Sequence, residues 1–300
     1  MKIVSTAFGS TLRKKVERLR ELEEDGFAGG WVNSGGHEAT VVLALAAAET
    51  SRIELGTFVL PTYLRHPVAM AQAAMAVQAA SGNRFVLGLG LSHRVTIEDM
   101  FGLDYSKPVR HMREYLEVLI PLLAGEQVSH DGQEFRVHAS LPIADAEPPQ
   151  VLVAALGPQM LRLTGRLAGG TALWLAGHQY IDEVVVPEMT RAAANAGRPT
   201  PRIVAGLPIV VTADPNAARE RISQAFGGYY QMPSYERVID GSGASSPAGV
   251  SIVGTEEEVE RELIRLRDAG VTDFYAAIEG QDRETRTRTR EFLKSLAPEI

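Results

Sequence analysis

Two glycine-containing segments carry the residue types best suited to hold a ligand. Residues 88–93 read GLGLSH and follow an apolar run, and residues 151–160 read VLVAALGPQM. Glycines at the end of a strand let a flat ring approach the backbone closely. Gly157-Pro158 is typical of a helix start, where free N–H groups and the positive end of the helix dipole favour a phosphate. The segments are therefore candidate binding sites, the first for a flat ring and the second for a phosphate.

Both segments also have a purely structural explanation. Glycines at a strand end occur for packing alone, and Gly157-Pro158 after a strand is an ordinary strand-to-helix turn. Residues 88–93 resemble part of the dinucleotide-binding fingerprint, but they lack the GxGxxG spacing because position 93 is histidine. No acidic partner for a ribose is evident either, so a Rossmann-type site is not supported.

His93 is the candidate catalytic residue. Imidazole exchanges protons near neutral pH, and position 93 ends the glycine-rich motif at the mouth of a predicted strand. His37 is an alternative proton carrier, although the Gly-Gly-His-Glu sequence around it is equally typical of a helix start. His66, in an Arg-His-Pro sequence, is expected to anchor a loop rather than to do chemistry.

The composition argues against several other classes of function. The chain has no cysteine, which excludes disulfides, cysteine nucleophiles, thiolate metal sites and iron–sulfur clusters. The net charge of −7 argues against nucleic acid or an anionic membrane surface as a partner. No HExxH, paired-histidine or clustered-carboxylate pattern predicts a metal site, and GxSxG does not occur. We expect no signal peptide, no membrane span and a cytoplasmic protein.

Eight apolar runs alternate with helical patterns, which predicts an α/β fold, a (β/α)8 TIM barrel forming a single domain over residues 1–300. The strands are predicted at 2–8, 30–33, 53–60, 85–89, 151–155, 171–175, 203–212 and 273–278. The helices are predicted at 11–24, 38–49, 68–80, 109–123, 157–167, 181–196, 214–230, 255–269 and 283–296. Insertions are expected as a hairpin at 125–137 and a mobile loop at 241–249. A doubly wound open sheet is the main alternative.

Residues 53–93 carry a resemblance to a known family. They follow the pattern LGTxVxP…RHP…SGxR…LGLGxSH and resemble the bacterial luciferase-like flavin and deazaflavin oxidoreductases, most of all the branch that uses coenzyme F420. The resemblance implies a luciferase-like barrel and a non-proline cis peptide bond at Phe58-Val59, where the isoalloxazine-type ring of the cofactor rests. It also implies that the cofactor phosphate lies near residues 155–159.

Position in the barrel and the resemblance together indicate roles for particular residues. By their positions at the barrel mouth, His93 would be catalytic, and Tyr63, Trp174 and His178 would meet the substrate. The cofactor-binding residues that the resemblance implies are Ser34, Phe58, Val59, Leu60, Gly90, Leu91, Ser92, Ala154, Ala155, Leu156, Gly157, Pro158 and Gln159. Two departures stand out, because related dehydrogenases have an Asp-His pair where this chain has Ser34-Gly35, and often an acid at position 93. The sugar-phosphate dehydrogenase activity of that branch is therefore not supported.

The resemblance predicts an F420-dependent oxidoreductase that transfers hydride between the deazaflavin C5 and a small organic substrate. That substrate would be an activated C=C or C=N bond, or an alcohol. One alternative is an FMN-dependent two-component monooxygenase, and another is a barrel that binds a flavin-like ligand without turnover. The family also implies a homodimer, while the identity of the substrate cannot be read from the sequence.

Overall fold

Eight parallel strands close into a barrel within residues 1–296, which the computed structural model describes. In chain order, the strands of the chain are Lys2–Thr6 (β1), Gly29–Val32 (β2), Glu54–Thr57 (β3), Leu60–Pro61 (β4), Phe85–Gly90 (β5), Val128–Asp131 (β6), Arg136–Ala139 (β7), Gln150–Val153 (β8), Gly170–Trp174 (β9), Arg202–Val211 (β10), Ile252–Gly254 (β11) and Asp273–Ile278 (β12). The barrel runs in the order β1-β2-β3-β5-β8-β9-β10-β12, and β12 pairs with β1 to close it. The predicted barrel is confirmed, and the closure excludes an open doubly wound sheet.

Helices surround the barrel. In chain order they are Leu12–Glu24 (α1), Ala39–Ala47 (α2), Pro67–Ala80 (α3), Pro108–Leu123 (α4), Pro158–Leu167 (α5), His178–Tyr180 (α6), Val186–Asn195 (α7), Pro215–Phe226 (α8), Pro233–Gly241 (α9), Pro247–Val250 (α10), Glu256–Asp268 (α11) and Arg283–Leu296 (α12). π-Helical turns cover Thr96–Met100 and Ile181–Val185, and a 3₁₀ turn covers Gly227–Gln231.

Side-chain caps fix where several helices begin. The Thr11 hydroxyl accepts a hydrogen bond from the backbone N–H of Lys14 at the start of α1. Thr255 and Glu258 form a reciprocal capping box at the start of α11. His66 caps α3 through Nδ1, which accepts from the N–H of Val68 at 3.3 Å. This contact confirms the structural role that the sequence predicts for His66.

The structure differs from the sequence prediction mainly between residues 226 and 254. The helix predicted to reach 230 ends at Phe226, and α9 and β11 were not predicted. The segment 241–249, predicted as a mobile loop, contains the start of α10, where the Ser246 hydroxyl accepts from the N–H of Gly249. The small and polar residues of this segment are typical of a loop, so the sequence analysis missed the helix start, at which Ser246 is the N-cap and Pro247 the first helical residue.

The buried Glu114 carboxylate on α4 holds the hairpin insertion through hydrogen bonds. β6 and β7 pair antiparallel, as predicted for residues 125–137. The Glu114 carboxylate accepts from the backbone N–H groups of Glu134 at 2.7 Å and Phe135 at 3.2 Å. Burial disfavours the charged form, but these hydrogen bonds outweigh it and hold the pKa of Glu114 below its usual value.

A buried arginine ties together the N-terminal ends of three barrel strands. The Arg202 guanidinium on β10 donates to the Glu54 carboxylate on β3 at 2.8 and 2.9 Å. It also donates to the Asp273 carboxylate on β12 at 2.6 and 2.7 Å. Burial disfavours the charged guanidinium, yet the hydrogen bonds that it donates to both carboxylates raise the pKa of Arg202. These ion pairs close the end of the barrel opposite to the carboxyl ends of the strands.

We predict that Arg202→Met lowers the free energy of unfolding by about 3–5 kcal/mol, because it leaves the Asp273 carboxylate buried without a counter-charge. The matched control is Arg13→Met, which breaks exposed ion pairs with Glu17 and Glu49 and is expected to cost much less, because solvent screens these charges. Urea denaturation of both variants measures the difference. Equal losses would contradict the role assigned to Arg202.

Candidate active site

A cavity of about 1050 Å³ opens at the carboxyl ends of the barrel strands. Its floor is aromatic, because the rings of Phe58 and Tyr275 stack with centroids 3.9 Å apart and planes within 6°. The Trp31 ring packs against both, with a centroid 6.2 Å from each. Active sites of TIM barrels lie at this end of the fold, so the cavity is the candidate active site.

Most of the predicted site residues meet in this cavity. Those that line it are Ser34, Phe58, Val59, Gly90, Leu91, Ser92, His93, Ala154, Leu156, Gly157, Pro158, Gln159 and Trp174. They come from five separate segments of the chain, which the closed barrel brings to one mouth. Both glycine-containing segments found in the sequence therefore face the same space.

The peptide bond between Phe58 and Val59 is cis, as the resemblance implies. Gly88 and Gly90 lie directly against this segment. A Cβ atom on Gly88 would come within 2.0 Å of the Thr57 carbonyl oxygen, and one on Gly90 within 2.6 Å of the Val59 side chain. The Thr57 hydroxyl also exchanges hydrogen bonds of 2.8 Å with the backbone of Gly88. The packing explanation of these glycines is therefore correct, and Gly90 lines the cavity as well.

His93 lies at the mouth of the cavity between two tyrosines. Its ring centroid is 5.7 Å from that of Tyr229 and 5.8 Å from that of Tyr235. Burial disfavours the imidazolium and lowers the pKa of His93, so the ring is neutral at neutral pH. A neutral imidazole can accept a proton through one nitrogen and donate through the other. The preceding residue, Ser92, has a positive φ of 60°, an uncommon conformation for a serine.

Glu279 is a second titratable group in the cavity, and the sequence analysis missed it. It follows directly after β12 and is half-buried. Burial raises the pKa of its carboxyl, while Arg221 and Arg286 oppose the shift. A carboxylic acid that keeps its proton closer to neutral pH is suited to act as a general acid. An acidic residue at the carboxyl end of a predicted barrel strand was the signal that could have identified it.

One end of the cavity is suited to an anion. Gly157 precedes α5, and no side chain caps this helix, so the N–H groups of its first turn remain available. The Arg237 guanidinium lines the same end and lies 3.4 Å from the position of a Cβ atom built on Gly157. Arg237 makes no ion pair with any residue in 1–296. A helix N-terminus beside a free guanidinium attracts a phosphate.

One wall of the cavity is aromatic and joins Trp174 at the end of β9 to side chains from the segment that was predicted poorly. The Trp174 ring meets the Phe226 ring edge to face at 5.5 Å, and Tyr229 meets Tyr235 at 4.9 Å. All four of these aromatic residues line the cavity, and so does Arg237. The run FGGYYQMPSY contains the aromatic residues, but its glycines and proline point to a loop rather than to a wall of the site.

Five expected residues do not face the cavity. Leu60 and Ala155 are buried on the opposite side of their segments, because successive side chains of an extended chain alternate. Tyr63 does not line the cavity, and its ring stacks on His111 with centroids 3.8 Å apart. His178 is half-buried and outside the cavity, with Nδ1 4.0 Å from a Glu262 oxygen. His37 is exposed and does not line the cavity, which leaves His93 as the histidine of the site.

The described residues contain neither a cluster of three histidine, aspartate or glutamate side chains able to hold a metal ion nor a helix able to cross a membrane. The lining of the cavity consists of side chains and backbone groups from several strand ends and loops. That lining combines an aromatic floor, two groups that can carry protons and an anion-binding end.

Residues 3–296 match the family described as luciferase-like monooxygenase. A protein of Beutenbergia cavernae named F420-dependent glucose-6-phosphate dehydrogenase is 30% identical over 255 residues, which are 82% of this chain and 70% of the relative. A 5,10-methylenetetrahydromethanopterin reductase of Methanolobus tindarius is 27% identical over 284 residues, which are 85% and 86% of the two chains. An uncharacterized protein of Mycobacterium tuberculosis is 31% identical over 247 residues, 77% of this chain and 73% of the relative.

Solved structures show the same fold at low sequence identity. An F420-dependent secondary alcohol dehydrogenase has a TM-score of 0.83 at 18% identity and covers 99% of this chain and 98% of its own. The oxygenating constituent of 3,6-diketocamphane monooxygenase from Pseudomonas putida, in complex with FMN, has a TM-score of 0.77 at 15% identity and covers 100% and 98%. The barrel and its cavity thus define an enzyme of the luciferase-like class. The chain belongs to the luciferase-like monooxygenase family.

We predict that Gly88→Ala destabilises the fold by more than about 2 kcal/mol, because the added methyl group has no room beside the Thr57 carbonyl. Gly228→Ala is the control, since nothing lies within 4 Å of its Cβ position and its φ is not positive. Thermal unfolding of the two variants measures the effect. If Gly88→Ala unfolds at the same temperature as the control, the close packing described for Thr57 and Gly88 is contradicted.

Proposed function

We propose that this protein is an F420-dependent oxidoreductase acting on a small, largely uncharged organic substrate. The observation that carries the proposal is the cavity itself, which joins a slot with an aromatic floor beside Phe58 and Val59 to an anion-binding end at Gly157 and Arg237. The cofactor has a tricyclic ring at one end and a phosphate further along. Relatives named as F420-dependent enzymes support the assignment.

The residues present fit such a cofactor. A volume of about 1050 Å³ exceeds what the substrate alone would need and leaves room beside the ring. A Cβ atom on Gly90 would approach Val59 and Ala154, so this position keeps the wall of the slot open. Val59 and Gly90 would hold one face of the ring, and the first turn of α5 with Arg237 would hold the phosphate.

The bound cofactor would supply hydride exchange at C5 of its deazaflavin ring. The protein would hold the substrate against the open face of the ring, and the aromatic wall of Trp174, Tyr229 and Tyr235 would exclude water. Glu279 would donate the proton that accompanies hydride addition, and its raised pKa keeps that proton in place nearer to neutral pH. His93, neutral at neutral pH, would orient the reacting group through a ring nitrogen.

The lining also limits the class of substrate. Apart from Arg237 and Glu279 the residues that face the cavity are neutral, and many are aromatic or apolar. Ser34 and Gly35 stand where sugar-phosphate dehydrogenases of the resembling branch carry an Asp-His pair. A small ketone, secondary alcohol, or activated C=C or C=N bond suits this surface better than a phosphorylated sugar.

An FMN-dependent monooxygenase is the second candidate function. FMN offers the same combination of a tricyclic ring and a phosphate, and an FMN complex is among the structures that share this fold. The two functions differ in the ligand bound and in the use of dioxygen. Binding of the purified protein to each cofactor therefore separates them.

We predict that the protein binds oxidised F420 with at least about tenfold higher affinity than FMN. Quenching of the fluorescence of each cofactor measures the two affinities. Arg237→Ala should weaken F420 binding by about 5- to 20-fold, because a charged hydrogen bond to the phosphate is lost. The same change should leave the binding of FO, the deazaflavin with its ribityl chain but without phosphate, unchanged. The matched control is Arg265→Ala, on the exposed face of α11.

Tight FMN binding together with oxygen consumption would overturn the F420 assignment in favour of the monooxygenase. An equal loss of F420 and FO affinity in Arg237→Ala would show that Arg237 acts on the fold of the cavity rather than on a phosphate. Neither result is expected from the arrangement of Gly157, Arg237 and α5.

We predict that Glu279→Gln lowers the rate of substrate reduction by at least about 100-fold and removes its fall at high pH. In the wild type the rate should fall as pH rises through the raised pKa of Glu279, because the deprotonated carboxylate has no proton to give. Oxidation of reduced F420 with a panel of small ketones, aldehydes and activated alkenes or imines provides the assay. Glu262→Gln, exposed on α11, is the control.

If Glu279→Gln keeps the full rate and the wild-type pH profile, the proton-transfer role proposed for Glu279 is contradicted. If His93→Asn then loses the rate instead, the proton comes from His93. Circular dichroism and F420 affinity of each variant establish that the cavity remains intact.

A further inference from the structure

An arginine-rich groove of about 560 Å³ adjoins the cavity on the outside of the barrel. It lies among α4, α5 and α7, and the side chains that line it include five arginines and no acidic residue. These arginines are Arg110, Arg113, Arg162, Arg166 and Arg191. Val109 and Gln159 line both the groove and the cavity, so the two spaces adjoin at these residues.

The spacing of the arginines on α5 directs the groove away from the cavity. Gln159, Arg162 and Arg166 lie three and four residues apart, so they share one face of the helix. With a rise of 1.5 Å per residue, the step from 159 to 166 covers about 10 Å. The face begins in the first turn of α5, next to Gly157 and Arg237, which form the anion-binding end of the cavity.

Four of the five arginines have a carboxylate within 4 Å, and these carboxylates stand outside the lining of the groove. Arg110 pairs with Glu134 at 2.6 Å, and Arg162 and Arg191 both pair with Glu188, Arg162 at 3.0 Å. Arg113 lies farther from Glu114 and Glu117, at 3.6 and 3.8 Å.

Arg166 makes no ion pair with the described residues. A guanidinium has five N–H donors, so each ion pair leaves donors free for a ligand. None of the partner carboxylates lines the groove itself.

We propose that this groove binds the oligoglutamate tail of the cofactor. The inference rests on the proposed function, because the tail begins at the phosphate of F420 and carries one or more carboxylates per glutamate. A tail that leaves the phosphate near Gly157 enters the groove at Gln159 and passes Arg162 and Arg166. About two or three extended glutamyl residues span the 10 Å between positions 159 and 166. The class of ligand is thus a flexible polycarboxylate attached to the phosphate.

The test compares three forms of the cofactor on the whole protein: FO, F420 with two glutamates and F420 with six glutamates. The wild type should bind the six-glutamate form about 5- to 10-fold more tightly than the two-glutamate form, and higher salt should remove the difference. The double variant Arg162→Gln with Arg166→Gln should lose this preference. Its affinity for FO should stay within about twofold of the wild type, while the two-glutamate form, whose tail reaches Arg162, should lose part of its affinity.

A matched control removes the same charge elsewhere. Arg265→Gln with Arg267→Gln changes two exposed arginines on α11 that also pair with acidic neighbours, and it should keep the preference for the long tail. The comparison of tail lengths on the wild type needs no variant, so the inference stays testable if a variant fails to fold.

The outcomes separate this inference from the proposed function. Equal affinity of the wild type for the two- and six-glutamate forms overturns the tail site while leaving the F420 assignment in place. Loss of the preference in the α11 control as well as in the α5 variant also overturns the site, because the effect is then one of net charge. Failure of the protein to bind FO or either form of F420 overturns both proposals.

Discussion

The close approach of the backbone at residues 57–59 to β5 is the constraint on which the cavity depends. Because Gly88 and Gly90 have no side chain, the Thr57 carbonyl and the Val59 side chain fit against β5 without overlap. This packing sets the height of the floor and turns Phe58 inward onto Tyr275. Gly206 on β10 completes the space, since a Cβ atom there would meet the Phe58 ring at 2.6 Å. The position of the slot therefore follows from tight backbone contact.

The rest of the site is arranged around that floor by two different kinds of structure. The strand ends supply the fixed parts, among them Gly90, Trp174 and Glu279, because they continue directly from a closed sheet. The segment after α8 supplies the wall with Tyr229, Tyr235 and Arg237, which the barrel does not itself position. In the proposed function, the slot for the ring and the start of α5 thus belong to the barrel, whereas Arg237 and part of the aromatic wall belong to an insertion. Such an insertion is where substrate preference can change without loss of the fold.

The fold and half of the site could be predicted because both depend on local patterns. The eight strand–helix alternations are strong signals, and the two glycine-containing segments stand at strand ends, where a barrel places its ligands. The mistakes have local causes as well. Leu60 and Ala155 were included because they adjoin lining residues, although side chains alternate along an extended chain. The position of Tyr63 depends on its stacking with His111, and that of Arg237 on which distant elements meet, which single-sequence patterns do not specify.

The central claim is that one elongated cofactor spans the cavity from the floor at Phe58-Val59 to the start of α5. A crystal structure of the protein with oxidised F420 tests it most directly. The account predicts that the deazaflavin ring lies against Val59 and Gly90, with the phosphate within hydrogen-bond distance of the first turn of α5 and of Arg237. A ring bound outside this slot, or a phosphate that touches neither α5 nor Arg237, would contradict it.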